Sequence, residues 1–127
     1  MKQFWIAIAI LAAIFIGSMA NTWILHNLTT NLTATLAQAE ELARHGDING
    51  AIEKTEKAQK QWKKNTGYLY AVLRHAETDT VEVLFMQTLE YLKDKDSAGE
   101  YMATNQSLIA QIKLLHEMEE LNIKNVL

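Results

Sequence analysis

An apolar run, Phe4 to Leu25, constrains this 127-residue chain more than any other feature. Phe4 to Ala20 carries no charge, Asn21 and Thr22 briefly interrupt, and Trp23, Ile24 and Leu25 extend the run. About 22 residues make roughly 33 Å of helix at 1.5 Å per residue. A bilayer core of roughly 30 Å can be spanned by that length. Trp5 and Trp23 lie about 27 Å apart along such a helix, a separation that suits one indole at each headgroup zone. A secretory leader is the competing reading, with Lys2 as its basic region and Ser18-Met19-Ala20 as a cleavage site. The uncleaved anchor is preferred because the apolar run passes Ala20 and Trp23 fits a membrane exit. Lys2 is the only basic side chain before Arg44, so a cytoplasmic N-terminus and an external remainder are expected. No second long apolar run follows, and one crossing is expected.

Beyond the run stand about 100 residues, enough for one small domain. The chain has no cysteine, which excludes disulfides, thiolate chemistry and cysteine metal sites. It has no proline and only five glycines, so little interrupts helix. A net charge of −3, mixed in sign, argues against nucleic acid as a partner. Asn27-Leu28-Thr29, Asn31-Leu32-Thr33 and Asn105-Gln106-Ser107 match the glycosylation pattern, as chance allows in an Asn/Thr-rich stretch.

Helical periodicity continues past the apolar run. Ile24, Leu28, Leu32, Leu36, Ala39 and Leu42 recur at steps of three and four, which predicts one rod as far as Arg44. Arg44 and His45 suit a helix C-terminus, Gly46 suits the left-handed position after it, and Asp47 suits the next N-cap. A second helix is expected over Ile48 to Lys64, with Ile48, Ala51, Ile52, Thr55, Ala58 and Trp62 buried and Asn65-Thr66-Gly67 ending it. The apolar face then changes phase. Leu69, Val72, Leu73 and Ala76 share one face, while Val81, Leu84, Phe85, Thr88 and Leu89 share another, which predicts a break near Thr78-Asp79 with Asp79 as a cap and Glu82 reaching back. Ser97-Ala98-Gly99-Glu100 reads as a capping box opening a last helix striped by Leu108, Ile109, Ile112, Leu115 and Met118. The expected class is all-α: an N-terminal transmembrane helix, residues 1–25, continuing into an up-and-down bundle of about four helices over residues 26–127.

Recognisable catalytic apparatus is missing from this sequence. Asp94 to Gly99 begins like a calcium loop, but Ala98 stands where an oxygen ligand is required and Asn105 where a bidentate Glu is required. His116-Glu117 lacks the second histidine of a zinc protease helix, and there is no phosphate loop or nucleophile elbow. No enzyme activity, cofactor or metal is therefore expected. Two charged groupings stand out. Lys54, Lys57, Lys60 and Lys64, with Lys63 beside them, form a stripe that could face a polyanion or anionic lipid; a solvated face interspersed with Glu53 and Glu56 explains it more simply. His75, Glu77, Asp79 and Glu82 form the densest polar cluster, readable as an interaction surface or, more simply, as a helix junction.

The Met1-Lys2…Trp5 start, Gly46-Asp47…Ala51, Trp62, His75-x-Glu77-x-Asp79-x-x-Glu82 and the Asn125-Val126-Leu127 ending together resemble domain of unknown function 4363, a family of small, mostly Firmicutes proteins. The resemblance spans nearly the whole chain. It implies a membrane-anchored helical domain in a bacterium and supplies no activity. The expected role is that of a non-enzymatic accessory protein of the envelope. It would be single-pass in the cell membrane, with its bundle outside and a protein partner met through uncharged Asn27 to Gln38. Alternatives are a helical ectodomain sensing a ligand among His75, Tyr68 and Tyr101 and acting through a membrane partner, or a secreted helical protein if cleavage follows Ala20.

Overall fold

A computed structural model describes the backbone of residues 1–73 and 75–126; Arg74 and Leu127, and the side chains of Val72, His75 and residues 119–126, lie outside the described set. Five helices follow one another: α1 (Lys2–Arg44), α2 (Ile48–Lys64), α3 (Thr66–Val72), α4 (His75–Lys93) and α5 (Ala98–Val126). No strand occurs among the described residues. Four helices pack in a ring, α1 against α2, α2 against α4, α4 against α5 and α5 against α1, and α3 bridges α2 to α4. This is the up-and-down bundle expected of short turns between long amphipathic helices.

All four seams carry nearly the same repeat. Buried positions run Leu25, Thr29, Leu32, Leu36, Ala39 on α1; Ala51, Thr55, Ala58, Trp62 on α2; Thr78, Val81, Phe85, Thr88, Leu92 on α4; and Tyr101, Asn105, Leu108, Ile112, Leu115 on α5. Alternating steps of three and four average 3.5 residues, the period that keeps one stripe facing its neighbours in a supercoiled bundle. The larger core block unites Leu25 to Leu36 with Trp62, Leu69, Phe85 and Leu108 to Leu115. A smaller block at the far end sets Tyr101 and Leu92 against the small residues Ala39 and Ala51.

The α1–α2 turn forms as its residues require. Gly46 has φ +86°, where a Cβ would be strained. The Asp47 amide donates to the Leu42 carbonyl at 2.9 Å and the Gly46 amide to Ala43 at 3.1 Å, the paired bonds of a Schellman motif. Asp47 Oδ1 then accepts from the Gly50 amide at 2.9 Å and caps α2.

Two junctions differ from expectation. The chain breaks at Leu73, which is extended at φ −117° and ψ 162°, rather than at Thr78-Asp79. Thr78 is 1 % exposed and already belongs to the α4 stripe, and Asp79 lies exposed inside that helix. The phase change was real, but Ala76, exposed on α4, belongs after the break and not before it. At α5, Ser97 Oγ donates to Asp94 Oδ2 at 2.6 Å in place of the expected capping-box arrangement. Asp94 also accepts from the Asp96 amide at 3.1 Å, and these two bonds, Ser97 first, lower its carboxyl pKa. The hydroxyl donates to an ionised carboxylate in the same short turn, a charge-assisted bond that fixes the Ser97 rotamer.

Candidate functional surfaces

The exposed half of α1 differs from the rest of the fold. Every residue from Met1 to Ala20 is exposed, while Asn21 and Thr22 are partly covered and Leu25 is fully enclosed. One unbroken helix therefore passes from an exposed apolar surface into a packed core. Of the described helices, it alone is long and apolar enough to cross a membrane. Trp5 and Trp23 are 68 % and 65 % exposed, so neither indole is used by the bundle. The transition is tied down from α3: the Tyr68 hydroxyl donates to Asn21, reaching both its side-chain oxygen and, at 3.0 Å, its carbonyl.

The His75–Glu82 cluster divides once it is placed on α4. Tyr70 on α3 sets its hydroxyl 3.1 Å from Glu82 Oε1 and 3.5 Å from Asp79 Oδ1. The hydrogen bond to Glu82, then partial desolvation and the two negative charges, raise the Tyr70 pKa above 10.0. Glu77 is half-buried with Oε2 enclosed and no hydrogen-bond partner among the described atoms, and 77 is about 200° around the helix from 79. Asp79 and Glu82 thus join α3 to α4 through a tyrosine, and Glu77 is not part of that contact. The side chain of His75 lies outside the described residues. On α2, Lys57, Lys60 and Lys64 are exposed and Lys54 partly so, with exposed Glu53 and half-covered Glu56 among them. Tyr68 and Tyr101 do not converge: Tyr68 meets Asn21, whereas Tyr101 packs with Ala39, about 27 Å further along α1.

A polar seam between α1 and α5 escaped the sequence reading. Glu40, 7 % exposed, accepts from Gln106 Nε2 at 2.9 Å on both carboxylate oxygens and from Arg44 at 3.2 Å. One turn away, Asn105 is fully buried and donates from Nδ2 to the Leu36 carbonyl at 3.2 Å. A buried asparagine on a heptad seam disfavours shifted pairings, because sliding the helices would break the bond that its amide nitrogen makes to the Leu36 carbonyl. Burial also withdraws Asn105 from any glycosylation of the folded chain. Only acidic Glu40 and amide-bearing Asn105-Gln106 on apolar stripes signalled this contact, and neither named the other.

Tyr101 closes the seam at 2 % exposure, its hydroxyl enclosed with no hydrogen-bond partner among the described atoms. Burial, and secondarily the Glu40 charge, push its pKa from 10.0 up to about 12. The unfolded chain loses this proton at lower pH than the folded one does. Stability from this group is complete below about pH 10 and is lost as pH rises toward 12. Denaturant melts between pH 8 and 11.5 should show that decline, and Tyr101→Phe should flatten it without loss at pH 8, since the hydroxyl has no partner among the described atoms.

The described residues hold no group of three or more metal-ligating side chains. Against known proteins, a family model described as Domain of unknown function (DUF4363) matches residues 19–126. No curated protein and no solved structure matches the chain.

Proposed function

The chain belongs to the family described as Domain of unknown function (DUF4363), and we propose that it is a non-enzymatic accessory protein held in a bacterial cell membrane by α1. In this reading the exposed apolar part of α1 crosses the bilayer, Lys2 stays on the cytoplasmic side, and the bundle stands outside to engage an envelope protein. The observation carrying the proposal is the continuity of α1: the uncharged stretch from Phe4 to Ala20 is exposed throughout, and no loop separates it from the core. A tether would let the domain swivel; a continuous helix transmits the tilt of the anchor to the bundle. Support also comes from the two exposed tryptophans at the ends of the apolar length. Asn27, Thr30, Asn31, Ala34 and Gln38 form an exposed, uncharged face just above it, suited to a partner lying along α1.

The absence of cysteine makes the test clean. With Lys57→Cys, an impermeant maleimide should label intact cells; with Lys2→Cys, it should label only permeabilised ones. The opposite pattern would overturn the topology, and a mature mass lacking residues 1–20 would overturn the anchor. A photo-crosslinker at Asn31 in native membranes should yield a discrete adduct with another envelope protein. Its absence would count against the accessory role.

A further inference from the structure

The register of α1 against α5 brings together two histidines that stand 90 residues apart. His26 Nδ1 lies 3.1 Å from His116 Nε2, with ring centroids 4.7 Å apart and planes inclined at 50°. The backbones carrying them are pinned by buried neighbours, Leu25 and Leu28 on α1 and Ile112 and Leu115 on α5. Core packing therefore sets the two backbone positions opposite one another.

We propose that His26 and His116 form a two-imidazole binding site for a divalent transition metal of the zinc class, clasping α1 to α5 where the bundle meets the exposed half of α1. Zinc–nitrogen bonds of about 2.0–2.1 Å at a tetrahedral angle place two donor nitrogens roughly 3.3 Å apart. The rings reach that separation by a small side-chain adjustment. His26 is exposed and His116 half-covered, so water can fill the remaining coordination positions. Imidazole nitrogen selects zinc, copper and nickel over calcium and magnesium, which require oxygen. A pair of ligands binds less tightly than the three or four of dedicated zinc sites, so the metal reinforces a seam that folds without it. Without metal, a ring N–H of one imidazole can donate to the facing nitrogen of the other across the same gap, which keeps the donors together.

The full-length protein in detergent, stripped with chelator, tests this with zinc chloride. Its melting temperature should rise saturably with zinc and stay constant with calcium chloride, as expected for a ligand held by the native state alone. His26→Gln or His116→Gln should each weaken zinc binding at least about tenfold, or 1.4 kcal/mol. His45→Gln, at the C-terminus of α1 and about 28 Å along the helix from His26, should leave it unchanged. Should a substitution disturb folding, the native protein still decides: the ring resonances of His26 and His116 should move together on zinc addition and saturate at one metal per chain. A zinc response that survives His26→Gln, or ring resonances that stay in place, would overturn the site.

Discussion

Trp62→Ala should destabilise the bundle by about 3–5 kcal/mol, the largest loss expected of any single truncation in this core. Trp62 is 1 % exposed and is the bulkiest of the fully buried side chains. Its ring lies 6.3 Å from that of Phe85 at 45°, linking α2 to α4 in the block that also holds Leu32 and Leu36 of α1. Helices cannot close independently around a missing indole, because each is held at other levels of its 3.5-residue stripe. The cavity would therefore persist. Trp62→Phe should behave differently. The indole Nε1 is enclosed without a hydrogen-bond partner among the described atoms, a state costing about 1–3 kcal/mol. Phenylalanine removes that cost while retaining most of the apolar volume, so its loss should be well under half that of alanine. Urea unfolding followed by circular dichroism distinguishes the two; equal losses would mean that the indole nitrogen is bonded in solution.

Deleting residues 2–20 should take the protein off the membrane entirely and leave its bundle folded. All of those residues are exposed, and none belongs to the buried core among the described residues. Helix α1 would restart at Asn21 and Thr22, of which Asn21 is a good N-cap residue and already receives Tyr68. The change in unfolding free energy should stay within about 1 kcal/mol, the worth of a helix end. Fractionation should find the wild type in membranes after carbonate extraction and the deleted form in the soluble fraction. Persistent membrane attachment would refute the anchor. Collapse of the helical signal would show that the apolar half of α1 has a packing role.

Much of the architecture could be read from local chemistry. Gly46 and Asp47 specify a turn because only glycine takes a positive φ freely and a short carboxylate caps an amide three residues on. Trp62 could be placed in the core because its α2 stripe is flanked by lysines and glutamates on every other face. The α3–α4 break was misplaced because no proline or glycine marks it. Leu73 turns extended where the surrounding helices need a change of direction, and Ala76 fits either face.

From sequence alone came the class of the fold, the continuity of α1 into Arg44 and the two ends of the hairpin between α1 and α2, since each depends on residues within a few positions of one another. Family resemblance over the length of the chain was legible too, and the match to residues 19–126 bears it out. Tertiary structure decided which polar groups meet. Glu40 with Gln106, Asn105 with the Leu36 backbone, Tyr70 with Glu82, and His26 with His116 all join different helices. Such pairings depend on the axial register of packed helices, where a slip of one turn, about 5.4 Å, exchanges every partner. A 3.5-residue repeat states which face is buried but is nearly silent on register, because each turn of leucine resembles the next.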